Sequence, residues 1–229
     1  GLIARYCAAM APSAWEAPSR EQRQLRAWGN RLTALQDMRQ QELNRLEVHE
    51  TAKQHDVISH VQAHITWLDA QIAQIAQDID DHIDRHPGLK QDAELIESIP
   101  GLGRTTAAKV LGHLGDVRRF ENAKALAAYV GVTPRQRQSG TSVRGRTMIS
   151  RMGNKHLRAA LFLPSLVAKR HNPILKQFGQ RLEANGLSKM AVAGAIMRKL
   201  VHLIYGVVKS GKPFDPNYMG KGLAIQDGI

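Results

Sequence analysis

The residues best suited to chemistry lie in a short segment, 134–140, which reads Pro-Arg-Gln-Arg-Gln-Ser-Gly. Ser139 precedes a glycine, and the arginines around it are Arg135, Arg137, Arg144 and Arg146. A serine hydroxyl attacks phosphorus when a base removes its proton and cations stabilise the charge that builds on the phosphoryl oxygens. The arginines meet the second condition, but no carboxylate is close in sequence to meet the first. Spacing alone leaves two interpretations: a nucleophile, or turn residues whose arginines only coat phosphates.

Charge is distributed unevenly along the chain. Residues 122–182 contain twelve Lys or Arg and no Asp or Glu. Residues 1–99 carry ten basic and fifteen acidic side chains, whereas residues 100–229 carry twenty-two and five. The formal net charge of +12 therefore joins an acidic half to a strongly basic half. A basic region of this kind is typical of a surface that displaces counterions from a phosphate backbone.

The remaining composition indicates a protein of the reducing cytoplasm. Cys7 is the only cysteine, so the chain has no internal disulfide framework. The most apolar segment, 190–208, is interrupted by Arg198, Lys199 and His202, which a membrane span would hardly tolerate. We therefore expect no membrane partner. The chain opens with residues typical of the middle of a helix and without Met, so we expect a fragment of a longer protein.

Two long helices are predicted in the acidic half. Apolar residues recur at helical spacing over 21–46. Further on they alternate four and three apart, which is a heptad seam, at Val61, Ile65, Leu68, Ile72, Ile75 and Ile79. The polar interval 47–56 predicts an antiparallel hairpin with a turn inside it. Because the apolar stripes are narrow, we expect the hairpin to form a homodimer or a higher oligomer; a purely intramolecular hairpin is the alternative.

A helix–turn–helix pattern opens the basic half. Residues 92–98 predict a helix, 99–103 a tight turn, and 104–111 a second helix. Gly101 and Gly103 permit turn dihedrals that side chains forbid. In a helix-hairpin-helix motif, free backbone N–H groups at the start of the second helix hold one phosphate, with Arg104 and Thr105 beside them. A bare structural turn is the alternative, and a Rossmann turn is excluded because no strand precedes the glycines.

The rest of the chain also predicts helices. These cover 122–130, 154–170 with a kink at Pro164, 173–185 and 188–209, and residues 131–150 are expected to form a loop. The fold class is therefore all-α. The expected domains are a remnant of an upstream domain (1–20), a dimerising coiled-coil hairpin (21–88), a basic helical domain (89–210) and a flexible tail (211–229).

Further basic side chains are candidate phosphate contacts. Arg151 and Lys155 follow the predicted loop, and Arg198 and Lys199 lie on the last helix. An exposed basic stripe without a function explains the last two equally well. A clamp on the backbone of duplex DNA is the functional interpretation.

Metal binding in this chain is not expected. Asp56, His60 and His64 share one helix face, as do Asp78, His82 and His86, but solvated coiled-coil faces explain both sets better. Four acids spread around the second helix instead of converging, which excludes a two-metal site: Asp78, Asp80, Asp81 and Asp84.

Four segments together resemble a known family. They are Ile-Pro-Gly-Leu-Gly at 99–103, Arg-Gln-Ser-Gly-Thr-Ser-Val-Arg-Gly-Arg at 137–146, Arg-His-Asn-Pro at 170–173 and Met-Arg-Lys-Leu at 197–200. In this order and spacing they resemble the C-terminal domain of DEDD-type insertion-sequence transposases, the IS110 and IS1111 group. The resemblance covers nearly the whole chain, including the hairpin, and the specificity comes from the set rather than from any one segment.

The resemblance implies an RNA-guided DNA recombinase. The family has an N-terminal RuvC-like domain in which four acids hold two divalent metals, and a C-terminal serine that attacks DNA. The family serine sits in an Arg-x-Ser-Gly-Thr motif, which falls on Ser139, with Ser142 as the alternative. The implied partners are double-stranded DNA and a structured noncoding guide RNA, and the implied location is the bacterial nucleoid.

One departure from the family pattern concerns the metal-binding domain. The opening Gly-Leu-Ile-Ala-Arg-Tyr resembles the segment just after the last family acid, and no acid precedes Glu16. We therefore expect no cofactor in this chain, Mg²⁺ in the missing N-terminal domain, and no strand cleavage by this portion alone. A non-catalytic helix-hairpin-helix DNA-binding protein is the alternative function. An RNA-binding adaptor is a third, although the basic half lacks obvious stacking aromatics.

Overall fold

The computed structural model describes residues 1–11, 17–139, 143–150 and 152–217, leaving aside the side chains of 136–147. Within these ranges the order of elements is α1 (Leu2–Met10), α2 (Arg20–Thr51), α3 (His55–Arg85), α4 (Pro87–Glu97), α5 (Arg104–Leu114), a 3-10 turn (Val117–Arg119), α6 (Ala123–Val130), β1 (Pro134–Ser139), β2 (Val143–Ile149), α7 (Lys155–His171), α8 (Pro173–Ala184) and α9 (Lys189–Ser210). The predicted all-α class is confirmed.

The long α2 and α3 pack against each other as the predicted hairpin. Ser19 and Gln22 form a capping box that begins α2, since each side chain accepts a hydrogen bond from the other residue's backbone N–H. The turn between the helices is short, and Lys53 takes a positive φ of 57° there. The heptad residues Val61, Ile65 and Leu68 are buried. The seam therefore packs inside the hairpin of a single chain.

Helix α5 fastens this hairpin to the basic domain. It packs against the N-terminal part of α2, and Gly112 makes the close approach possible. A Cβ added at Gly112 would lie 2.9 Å from the backbone nitrogen of Arg26, closer than side chains come to backbone. The apolar residues of α2, α3, α5 and the later helices consequently belong to one continuous core.

Helix α9 is the central element of the basic domain. It packs against α4, α6, α7 and α8, and it buries a long series of aliphatic residues that includes Ile196, Leu200 and Ile204. By length and composition α9 is apolar enough to cross a membrane, but 56% of its most apolar window is buried within the fold. Its apolar face is explained by the contacts it makes with the neighbouring helices.

The loop predicted over residues 131–150 is wrong, because the structure has a β-hairpin there. Strands β1 and β2 pair antiparallel, with Pro134 opposite Ile149 and Ser139 opposite Val143. This segment lacks the usual alternation of apolar and polar residues, because glycine, proline and arginine occupy many of its positions. Cross-strand backbone hydrogen bonds and an anchor at the base, rather than strand propensity, explain its formation.

Candidate nucleic-acid interface

The base of the β-hairpin is closed by two glycines from opposite ends of the segment. Gly131 has a φ of 81° and caps α6, whereas Gly153 has a φ of 156° and precedes α7. A Cβ at Gly153 would lie 2.5 Å from the Gly131 nitrogen, so only glycine allows this crossing. The Asn154 N–H donates to the Tyr129 carbonyl at 2.8 Å. The hairpin therefore leaves and re-enters the helical domain at one point.

The hairpin is also anchored on α9. Ile149, the last residue of β2, lies against Gly194, where an added Cβ would come within 2.5 Å of the Ile149 Cδ1. Just below it, the Ser150 N–H donates to the Thr133 carbonyl at 2.8 Å. These contacts fix the base of the hairpin on the central helix of the domain.

Ser139 is the last residue of β1. The backbone register sets Gln138 opposite Arg144 and Arg137 opposite Gly145, with an irregularity between Arg135 and Arg137. The side chains of Ser139, Arg137, Arg144 and Arg146 lie outside the described part of the structure, as do Ser142 and Arg151 entirely. Arg135 is exposed. The catalytic role of Ser139 and the phosphate contacts of these arginines stay predictions.

Two histidines stack where α7 begins. Asn154 caps α7 by accepting hydrogen bonds from the His156 and Leu157 N–H groups at 3.0 and 3.2 Å. The exposed His156 ring stacks on His113 of α5, with centroids 5.2 Å apart and planes 3° from parallel. Burial, followed by the charges of Arg26, His156 and Lys109, lowers the pKa of His113 to about 4. Lys155, a predicted phosphate contact, is exposed beside this stack.

The glycines of the predicted helix-hairpin-helix turn have different environments. Gly101 has a φ of 104°, and a Cβ there would lie 2.6 Å from the Ala168 Cα on α7. Gly103 caps α5 with an ordinary φ of −115°, is exposed and has open space around its missing Cβ. Thr105 is exposed in the first turn of α5. Gly101 is thus explained by packing, while Gly103 and Thr105 are placed where a phosphate could reach them.

Arg104 is already engaged by three carboxylates. Its guanidinium donates to Asp80 of α3 at 3.2 Å, to Asp84 of α3 at 2.9 Å and to Glu97 of α4 at 3.3 Å. Burial opposes the charge, but the hydrogen bonds to Asp84, Glu97 and Asp80 outweigh it and raise the pKa of Arg104. The side chain predicted to contact a phosphate therefore joins α5 to α3 and α4 in this structure.

The two basic residues of α9 differ in their surroundings. Lys199 places its Nζ 5.3 Å from the ring centroid of Phe178 on α8, which is a cation–π contact. Arg198 is half-buried, and its Nε has no hydrogen-bond partner among the described residues. The interpretation of both residues as a solvated basic stripe is therefore insufficient for Arg198.

The histidine-rich faces of α3 make other contacts. His82 contacts the backbone carbonyl of Glu21 at 3.0 Å and its ring lies against the tilted ring of His86, whereas His64 stacks against Trp67. Within the described ranges no group of three His, Cys, Asp or Glu residues is arranged to hold a metal ion. These side chains are accounted for by packing and surface contacts.

The chain is similar in sequence to known proteins of one family. Residues 93–180, which run from α4 through the β-hairpin into α8, match the model of the Transposase IS116/IS110/IS902 family. The chain is also 34% identical over 225 residues to the pilin gene-inverting protein of Moraxella bovis, across 93% of this chain and 66% of that protein. The chain belongs to the IS116/IS110/IS902 transposase family.

Two further relatives are proteins of insertion elements. The chain is 26% identical over 155 residues to an uncharacterized 43.6 kDa protein of insertion element IS110 from Streptomyces coelicolor, covering 68% of this chain and 37% of that protein. It is 36% identical over 81 residues to the IS1111A transposase of Coxiella burnetii, covering 35% and 22%. The chain thus spans no more than 66% of the length of these relatives of the transposase family.

Several features of the site were not predicted from the sequence. Gly131 and Gly153 are in contact although they are distant along the chain. The same holds for Ile149 and Gly194. The histidine stack joins two helices in the same way. The glycines at both ends of the basic segment were a visible signal for the crossing; the packing partners gave no local signal.

Proposed function

We propose that this chain is the DNA-handling portion of a transposase or recombinase that exchanges DNA strands. The observation that carries the proposal is the family match over residues 93–180, because it contains the hairpin with Ser139 and its arginines. The Moraxella bovis relative is named for inverting a pilin gene, which is a DNA rearrangement. The basic half supplies the charge that a DNA backbone requires.

The proposed chemistry is a transesterification at Ser139. The Oγ attacks a DNA phosphorus, the bond from phosphorus to a backbone oxygen breaks, and the serine proton is transferred to a base while the leaving oxygen takes up a proton. One phosphoester bond replaces another, so the step needs no energy-rich cofactor. Arg135, Arg137, Arg144 and Arg146 are proposed to stabilise the charge on the phosphoryl oxygens.

The finer proposals extend beyond this chain. Divalent metal ions, Mg²⁺ in particular, are proposed to bind the acids of an N-terminal domain of the complete protein. A structured noncoding RNA is proposed to select donor and target sites. What supports an RNA contact by shape and phosphate is the basic surface, since the aromatic rings of Phe120 and Phe178 are partly buried in the core.

Replacement of Ser139 tests the catalytic proposal directly. The complete protein, with Mg²⁺ and with or without its associated RNA, is incubated with a nicked DNA substrate that traps a covalent protein–DNA adduct. We expect Ser139→Ala to abolish the adduct, and recombination with it, while changing the Kd for duplex DNA less than about twofold, because binding energy resides in the basic surface. The matched control is Ser142→Ala, which should keep the adduct. Strand transfer retained in Ser139→Ala would disprove the proposal.

A non-catalytic DNA-binding protein is the second candidate. The exposed Gly103 and Thr105 at the start of α5 favour it, since this arrangement suits a sequence-independent phosphate contact. This candidate predicts no covalent adduct in the unsubstituted protein or in either serine variant. It also predicts a steep salt dependence of DNA binding. The same trapping experiment therefore separates the two candidates.

A further inference from the structure

Two side chains on one face of α9 have buried polar atoms without partners. The Nε of Arg198 and the Nε2 of His202 are both buried and make no hydrogen bond to any described residue. The residues are four positions apart, so their side chains are neighbours on the same helical face. A buried polar atom without a hydrogen-bond partner is destabilising, so two adjacent ones call for a group that pairs with both.

The charges around His202 specify what that group must be. Burial, followed by the positive charges of Arg198 and Lys199 on α9 and Lys124 on α6, lowers the pKa of His202 to about 4. The charged groups that lower the pKa of His202 are all cations. A neutral partner would leave this repulsion in place, whereas an anion would accept hydrogen bonds from the Arg198 guanidinium and from a protonated His202 imidazole and would offset the charge.

The same face of α9 leads to the base of the β-hairpin. Gly194, one turn before Arg198, receives Ile149, and Ile149 pairs with Pro134 in the hairpin. Thr133, which precedes Pro134, also has a buried hydroxyl with no partner in the described part of the chain. Unpaired polar groups therefore occur on both sides of the contact between hairpin and helix.

We propose that Arg198, His202 and Lys124 form a phosphate-binding site between α6 and α9, which receives one backbone phosphate of the nucleic acid that the neighbouring hairpin engages. The site rests on the proposed function for the identity of its occupant, but its phosphate chemistry follows from the side chains alone. Arg198 donates from its guanidinium, His202 donates from a protonated imidazole, and Lys124 closes the exposed side. Lys199 stays over the Phe178 ring and contributes only its field.

Direct titration with inorganic phosphate tests the chemistry of the site without nucleic acid. The imidazole resonances of His202 are followed by NMR at pH 7 as sodium phosphate replaces sodium chloride at constant ionic strength. We expect a saturable shift of these resonances toward the protonated form, absent in Arg198→Gln and weaker in Lys124→Gln. Lys189→Gln, which removes an exposed charge from the same helix, is the matched control and should leave the shift unchanged. An unchanged His202 signal in the unsubstituted protein overturns the phosphate site.

The affinity for duplex DNA as a function of salt then identifies the occupant. We expect the slope of log K against log salt to decrease by about 0.9 in Lys124→Gln, which is exposed and leaves the core intact, and by a similar amount in Arg198→Gln. A phosphate response with unchanged DNA slopes would overturn the nucleic-acid occupant in favour of free phosphate. If the unsubstituted chain bound no DNA, the proposed function would fail, and the phosphate titration would still decide this site.

Discussion

Gly101 and Gly103 lie in one turn but have unequal structural tasks. The first has a backbone that L side chains rarely adopt and presses against α7, while the second has an ordinary backbone beside open space. The sequence predicted the turn from both glycines, because both are compatible with it. It could not predict which one is indispensable, since that depends on Ala168, a residue far along the chain.

Alanine should therefore destabilise the fold much more at Gly101 than at Gly103. We expect Gly101→Ala to lower the free energy of unfolding by at least about 2 kcal/mol, from a strained φ and a contact with the Ala168 backbone that cannot relax. Gly103→Ala should cost less than about 1 kcal/mol, the usual difference between these residues at an N-cap. Urea denaturation followed by circular dichroism measures both. Similar losses in the two variants would contradict this account of the turn.

His113 should make stability depend on pH. The pKa of its imidazole is lowered from 6.5 to about 4 in the fold, so between these values the unfolded chain takes up a proton that the folded chain does not. The contribution of His113 to the free energy of unfolding should therefore fall as the pH decreases from about 6.5 to about 4 and level off below.

Thermal unfolding at several pH values tests this contribution. The midpoint of His113→Gln should depend less on pH in the same window, although its absolute stability should be lower because the stack with His156 is lost. His55→Gln, at an exposed position, should keep the pH dependence of the unsubstituted chain. An unaltered pH dependence in His113→Gln would exclude this imidazole as the cause.

At the scale of elements, helices and the hairpin differ in how far the sequence determines them. The heptad of α3 and the caps of α8 and α9 are local signals, and the structure confirms those helices. The β-hairpin has no such pattern, because its stability derives from pairing across the strands and from Ile149 on Gly194. The periodicity of apolar residues does not predict segments that are held in place by distant contacts.

Arg104 should stabilise the packing of α5 against α3 and α4. Its ion pairs connect α5 with α3 and α4, and all three carboxylates are partly exposed. We expect Arg104→Gln to lower the free energy of unfolding by about 1 kcal/mol at low salt, with a smaller loss at high salt because the pairs are screened. Arg31→Gln, at an exposed position of α2, should have little effect. A loss in Arg104→Gln that does not depend on salt would argue against ion pairing as its cause.

For the whole molecule, the predicted self-association would have to use residues other than the heptad seam. The seam is buried within one chain, but Trp67 is 50% exposed and Val48 and Val57 are also exposed on the two helices. The predicted dimer therefore stays a prediction, with these side chains as its candidate contacts. The sequence identified the apolar periodicity but not whether a second helix of the same chain would cover it.

Substitution of Trp67 tests the predicted dimer. We expect sedimentation velocity to show a dimer, and Trp67→Glu to weaken it at least tenfold, because a buried unpaired carboxylate at an interface costs more than about 1.4 kcal/mol. Met190→Glu, at an exposed residue of α9, should leave the dimer intact. A monomer at every concentration for the unsubstituted chain would show that the dimer prediction is wrong.

The close approach of Gly131 and Gly153 makes the hairpin a segment that can be replaced. Because the chain departs from and returns to one point, and Pro134 pairs with Ile149, a short linker replacing 135–148 would span the gap while keeping the buried Val132 and the contact of Ile149 with Gly194. Hairpins of other lengths and sequences can accordingly be grafted onto the same helical support. Evolution within this architecture, and its engineering, can therefore change what the hairpin contacts while the helices beneath it are retained.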